Sequence, residues 1–432
     1  MRKDRKELWG WYFFDFANTS FTVMVVTVAY AIYFREYVVG DLSVTLPWGD
    51  RPVGDILWGL GNAVSMLLVG ITSPYLGAIT DGTSRKKLFT GLFTILCVVP
   101  TALMITVGPG QIWWGLFLFV LGNIGFQGGL VFYNAFLPQI SPPGRMGYVS
   151  GMGFAMGYVG ALITLMIALP FASRATDLGS HSALAPTFLI SAIFFLVFSL
   201  PFFLFVRERP PRMRMADNVW REGWVRVRST LSHLNHYRHT GRFLLAYFIY
   251  SDGINTVIAF GGIYAVVTLN FTALQVIVFF AVLQVAAIAG AWGLGLLTDR
   301  WGAKQTVELT LLLWIIMTIG AFLTRNVFTF YLVGALAGVA MGSSQAASRV
   351  VMAELTPSSR EGEFFGFYGL CGKFSAIIGP LMFGLVTLIT GSQRLAVLSI
   401  SVFFIAGWLL LRPLDMAAGR EAVSTVPAGE NG

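Results

Sequence analysis

The chain has 432 residues, of which 56% are hydrophobic and 12% charged, against roughly 25% charged in an ordinary soluble domain. That composition excludes a water-soluble globule, and many windows of about 20 residues nearly free of charge are long enough to cross a hydrocarbon core. The net charge of +8 would suggest nucleic acid in a soluble protein; here the basic residues lie between apolar stretches, and no nucleic-acid partner is expected.

Hydropathy predicts an all-α membrane protein with twelve spans, near 11–38, 55–79, 88–107, 112–137, 148–171, 186–206, 243–269, 273–297, 306–324, 328–354, 363–390 and 394–412. The basic arm MRKDRKE precedes an apolar stretch broken by Asp15 and Asn18, which runs on to Val39 without a small-residue cleavage site. It reads as a first membrane helix and not as a removed leader. The segment 207–242 is polar and Arg-rich, with Trp220, Trp224, His233, His236 and His239. It reads either as an amphipathic surface segment on anionic lipid or as a solvated connector. The polar tail after Arg412 is expected to be disordered. The domains are then 1–206, a linker 207–242, 243–412 and a tail 413–432.

Basic residues set the orientation. With both termini cytoplasmic, 22 of the 29 Lys and Arg fall in cytoplasmic segments and five (Arg35, Arg51, Arg174, Arg325, Arg394) outside. The split predicts an even number of spans in a plasma or inner cell membrane.

The chain repeats itself. GAITDGTSRKK at 77–87 returns as GLLTDRWGAKQ at 295–305, an offset of 218. Pro142, Arg145, Gly147, Gly151 and Gly157 return at an offset of 215 as Pro357, Arg360, Gly362, Gly366 and Gly372. Gln127 and Leu137 match Gln345 and Leu355, and Asp15-x-x-Asn18 matches Asp252-x-x-Asn255. The spacing predicts two six-helix halves related by an axis along the membrane normal. The repeated loops nominate Gly77, Asp81, Arg85, Gly295, Asp299 and Arg300, together with Glu363, as gating residues. An acid at a helix start is stabilised by bare amides and the helix dipole; the plainer alternative is that these acids only orient loops.

Charges inside a span cost several kcal/mol unless they face a cavity or a partner, which makes Asp15, Asp252, Arg349, Glu354, Glu363 and Lys373 informative. Asp15 and Asn18 share a helix face and suit an ammonium group or a coupling proton, as do Asp252 and Asn255; bonds to neighbouring helices are the alternative. Arg349, four residues after Gln345, can grip a carboxylate with two hydrogen bonds or pair with Glu354 or Asp252. Lys373 can contact a carboxylate, pair with an acid or snorkel. Asn123, Gln127, Tyr133, Asn134 and Gln284 line a cavity or bond helix to helix.

Three stretches narrow the family: WGWYFFDFANTSF from Trp9, TSPYLG at 72–77 leading to Asp81, and GSSQAASRVVMAELTPSSREGEFFGFYGL from Gly342 to Leu370, continuing to Lys373 and Gly379-Pro380. With the duplicated loop, the chain resembles the vacuole-effluxer-like branch of the major facilitator superfamily. The resemblance implies a transporter, with an amino acid among its candidate solutes. It also implies that Asp81 reaches the start of the eleventh span near Gly362, and Asp299 the start of the fifth near Gly147, shutting the cytoplasmic side in the outward-facing state. The chain departs from the superfamily at Gly82-Thr83-Ser84, where a basic residue and a glycine are usual, so this copy is expected to clamp less firmly.

No nucleotide loop, H-E-x-x-H or G-x-S-x-G is present, so neither an ATP-driven pump nor an enzyme is expected. Cys97 and Cys371 offer no disulfide framework, and the histidines no acid or cysteine for a metal; no cofactor is expected. The expectation is a monomeric secondary transporter of a small polar solute, with a zwitterion among the candidates, coupled to a proton or another cation. A sugar or drug carrier, a membrane sensor and a helper subunit stay open.

Overall fold

The computed structural model describes residues 2–46, 49–177, 181–210, 218–232 and 236–424. Twelve helices are long and apolar enough to cross a membrane: Arg5–Val39, Val53–Thr83, Lys86–Thr106, Ile112–Ile140, Met146–Ala175, Ser182–Phe205, Arg238–Leu269, Leu274–Trp301, Ala303–Leu323, Val327–Glu354, Glu361–Thr390 and Gln393–Leu411. Most are apolar on every side, as lipid on one face and protein on the other require, and each helix satisfies its own backbone groups.

The chain forms two compact units. One comprises Met1–Thr72, Arg85–Tyr133 and Met156–Glu208. Its core is aromatic: the Trp11 and Tyr133 rings stack at 4.6 Å, with Phe14 at 4.8 Å on the tyrosine. The pair is locked reciprocally, Trp11 Nε1 donating to Tyr133 O (3.2 Å) and Tyr133 Oη to Trp11 O (3.1 Å). The other unit comprises Ser73–Ser84, Asn134–Ala155 and Arg209–Gly432. Here the eighth and tenth spans approach through glycines. A Cβ at Gly338 would stand 2.2 Å from Leu283 O, and one at Gly342 2.2 Å from Ala287 O. Small residues are how membrane helices reach such contact.

Five details depart from the hydropathy reading. The first span widens to i→i+5 hydrogen bonding over Thr22–Thr27 and Tyr33–Val39, the first stretch lying in a run of β-branched residues that crowd a regular helix. Ser43–Leu46 and Gly49–Pro52 pair as an antiparallel ribbon, which a search for apolar length could not see. The eleventh span is broken: Glu361–Phe374 ends and Ile378–Thr390 restarts. Pro380, the third residue of the restarted half, has no amide to donate, and in a continuous helix its ring would clash with the carbonyl of Ala376. The linker holds a helix, Val219–Ser232, while 211–217 and 233–235, with His233, lie outside the described residues. The tail folds as Met416–Ser424 because Asp415 caps it, accepting from Ala417 N (2.9 Å) and Ala418 N (3.1 Å). Those amides hold the Asp415 carboxyl below its usual range. Expected disorder therefore fails through residue 424, and the remainder of the tail lies outside the described residues.

Gly338→Ala should lower the melting temperature in detergent, at a cost of about 1–3 kcal/mol for overpacking a tight contact. Gly293→Ala, where an added Cβ meets nothing within 4 Å, should leave it unchanged.

Candidate functional site

Asp81 ends the second span and spreads its carboxylate over the start of the eleventh. Oδ1 accepts from Gly362 N (2.8 Å) and Oδ2 from Glu363 N (2.9 Å). Asp299 does the same to the fifth span, accepting from Gly147 N (2.6 Å) and Tyr148 N (2.9 Å). These amides open their helices and have no partner within them. The approach needs bare backbone: a Cβ at Gly77 would lie 2.1 Å from Gly362 O, and one at Gly147 2.6 Å from Gly295 O. The Gly82-Thr83-Ser84 departure leaves the Asp81 geometry intact. Ser84 adopts the left-handed φ of 51° at the position where the second copy has Gly302 at 103°. Its hydroxyl bonds to Arg209 O at 2.9 Å, which offsets part of the cost of αL in a non-glycine residue.

Glu363 is fully buried. Its Oε1 accepts from Thr230 Oγ1 (2.5 Å), which in turn accepts from Arg360 (2.9 Å). Arg85 and Arg300 are exposed and make no side-chain hydrogen bond or ion pair among the described residues. A second duplicated contact went unrecognised in the sequence. Lys87 Nζ donates to Val206 O (2.7 Å), and Lys304 Nζ to Arg412 O (2.9 Å) and Leu414 O (2.8 Å). Each lysine satisfies carbonyls at the end of a sixth or twelfth span. The signal was Lys87 and Lys304 at nearly the repeat offset, which had been counted only as orientation charge. Glu208 caps the third span at Lys86 N and Lys87 N; burial pushes its carboxyl up, against the pull of those amides and lysines.

Arg349 is 1% exposed. It donates to Ser150 Oγ (2.9 Å), Ser150 O (2.7 Å) and Asn134 Oδ1 (3.0 Å), and its guanidinium lies 4.2 Å from the centre of the Phe154 ring. It thus ties the tenth span to the ends of the fourth and fifth. Glu354, a partner the sequence offered, lies 3.6 Å from Arg420 instead. Gln345, one turn before Arg349, is half-buried.

Asp252, the other offered partner, caps the restarted half of the eleventh span. Its oxygens accept from Ile378 N (3.0 Å) and Gly379 N (2.9 Å). Asn255 donates across the break to Ser375 Oγ (3.2 Å) and Ser375 O (3.3 Å). Lys373 stands just before that break, half-buried, and has no hydrogen bond or ion pair among the described residues. Gln284 is also half-buried and without a side-chain hydrogen bond among them.

In the other unit Asn18 Nδ2 lies 3.4 Å from Asp15 Oδ1, and both residues are buried. Asn123 bonds to Asn62 (3.0 Å) and Ser65 (2.6 Å), joining the fourth span to the second. Gln127, a turn along from Asn123, is half-buried with no side-chain hydrogen bond among the described residues.

This arrangement of duplicated acid-capped helix starts can be set against known proteins. Residues 59–424 match the family described as vacuole effluxer Atg22 like. The chain belongs to that family. It is 30% identical over 417 residues to an uncharacterized MFS-type transporter, YxiO, of Bacillus subtilis, covering 95% of each chain. It is 23% identical to autophagy-related protein 22 of Kluyveromyces lactis, over 96% of this chain and 94% of the relative. Among solved structures it is similar to the human organic anion transporter MFSD10, with a TM-score of 0.71, 16% identity, and coverage of 95% and 99%; that likeness shows the fold. The chain is therefore a multi-pass membrane transporter of the major facilitator type, with two pseudo-symmetric six-helix halves and a small-molecule substrate, and not an enzyme.

Replacing Asp81 or Asp299 by Asn should remove about 1–3 kcal/mol, since the side-chain amide keeps one acceptor oxygen and turns a donor toward the second backbone N–H. In a background lacking Cys97 and Cys371, Thr80→Cys and Thr298→Cys report on the two contacts, since both threonines are buried. Their maleimide labelling should accelerate in Asp81→Asn and Asp299→Asn respectively.

Proposed function

We propose that the chain moves a small solute bearing a carboxylate, an amino acid foremost, by alternating access, with Lys373 receiving the anionic group. One observation carries this: a cation near the middle of a span with no protein partner among the described residues. An ammonium there is tolerated only if it faces a water-filled cavity or a ligand, and a cation in a solute pathway selects an anionic group. Asn255 and Gln284, in the same compact unit as Lys373, supply polar groups for the rest of the solute. Arg349 serves as a brace, whose hydrogen bonds to Ser150 must break when the tenth span moves against the fifth. Asn123 serves helix packing.

Asp252 is the candidate coupling carboxylate. Protonation would remove its hold on the two amides of the eleventh span and so link a proton to the geometry beside Lys373. Gly77, Asp81, Gly295 and Asp299 form the latch of one state, with Glu363 supporting it through the linker, while Arg85 and Arg300 act only through their charge. The working division is 1–206 and 243–412, joined by 207–242. The excess of basic residues supports cytoplasmic termini in a cell membrane. The effluxer relatives support export, and a single chain of twelve spans supports a monomeric unit.

Proteoliposomes with and without a pH gradient, screened against amino acids, other carboxylates and neutral sugars, test this. Lys373→Gln should cut carboxylate flux roughly 10- to 100-fold, the worth of one charged hydrogen bond, with an unchanged melting temperature. Asp252→Asn should abolish the effect of the gradient. Undiminished carboxylate flux in Lys373→Gln, or flux of neutral sugars alone, would refute the assignment.

A further inference from the structure

The linker helix Val219–Ser232 carries three strips along its length, as 3.6 residues per turn dictates. Gly223, Arg226, Val227 and Thr230 are buried. That strip rests on the transporter: a Cβ at Gly223 would lie 2.8 Å from the Ile79 side chain, Tyr75 Oη donates to Trp220 O at 3.0 Å, and Thr230 holds Glu363. Arg226 is closed internally by Glu222 at 3.0 Å. The second strip is Trp220, Trp224 and Leu231, exposed by 56%, 61% and 49%. Beside it run Arg221 and Arg228, exposed and without a side-chain partner among the described residues.

The tryptophans flank Tyr75, with ring centroids at 6.1 and 6.4 Å. Tyr75 lies one turn after Ile71, and Ile71, Leu68 and Leu67 are exposed on the second span. Exposed aliphatic residues on a membrane span face hydrocarbon. The indoles extend this exposed apolar face beyond its last aliphatic turn, a placing that suits tryptophan at a membrane interface. The guanidiniums of Arg221 and Arg228 beside them, without a side-chain partner among the described residues, are suited to phosphate-bearing headgroups. In water the same strip would be apolar surface with nothing to cover it.

We propose that this helix is a lipid-reading element: Trp220, Trp224 and Leu231 enter the headgroup layer, Arg221 and Arg228 bind anionic lipid, and the docked helix holds Thr230 on Glu363, favouring the Asp81 contact. The lipid contact does not depend on which solute is carried.

The test uses the whole chain in nanodiscs, free of its native cysteines, with Trp224→Cys carrying a bimane. Brominated phosphatidylcholine or brominated phosphatidylglycerol serves as quencher. Quenching by both is expected, with phosphatidylglycerol enriched at the probe by roughly fivefold per arginine at low salt and less at high salt. Arg221→Gln with Arg228→Gln should erase the preference without lowering the melting temperature. Absence of quenching, equal quenching by the two lipids, or probe–probe quenching from a second copy each overturns the lipid assignment. For the coupling, Thr80→Cys labelling should slow in phosphatidylglycerol in the parent and become lipid-independent in Thr230→Val. Labelling equal in both lipids in the parent, with bimane quenching intact, overturns the coupling alone.

Discussion

A carboxylate laid across the bare amides of a helix start, at a point where two glycines let backbones touch, is the contact on which the transporter's duplicated architecture turns. The helix supplies donors that nothing within it can satisfy, and the acid supplies charge that would otherwise stand at the edge of an apolar layer. Neither half of the bargain works with a side chain in between. A methyl group at Gly77 would overlap the carbonyl of Gly362 and drive Asp81 out of reach. Because the contact is polar, short and made by groups that water can also serve, it can open without exposing a hydrophobic core.

The same device appears a third time inside the membrane, in a different role. Asp252 caps the helix that restarts at Ile378 after the break in the eleventh span. Its counterpart Asp15 faces a fifth span with no such interruption. The two halves thus share a scaffold and differ where the chemistry lies. The second half holds the discontinuous helix, Lys373 with no partner among the described residues and the braced Arg349, and among those residues the first half repeats none of them.

How much of this was legible follows from what each signal depends on. Span number and type follow from apolar length, which a sequence states directly. The placing of Asp81 at Gly362 and Asp299 at Gly147 could be reached because the repeat aligned the two copies and the family resemblance supplied the partner. The roles of Asp252 and Arg349 could not be separated, since an acid or a cation in a span has the same sequence signature whether it meets a helix start, a hydroxyl or a solute. Gly379-Pro380 was visible as a motif, yet its consequence, a helix start offered to Asp252, exists only in three dimensions. The tail's polar composition hides the capping Asp415 that folds it, and a lysine near a span end has the same sequence signature whether it only sets orientation or also bonds the terminal carbonyls of another span.

The two acid-capped contacts differ in when they can form. Asp299 follows its partners by some 150 residues, so the fifth span is already in place when the eighth is made. Asp81 precedes Gly362 by 281 residues. At the usual 5–20 residues per second of synthesis, that acid waits roughly a quarter of a minute to a minute for its helix. During that interval the nascent chain presents a solvated carboxylate beside a bare glycine surface, and insertion machinery or a neighbouring chain meets it in that state. Biogenesis, and not only transport, therefore places a demand on this loop.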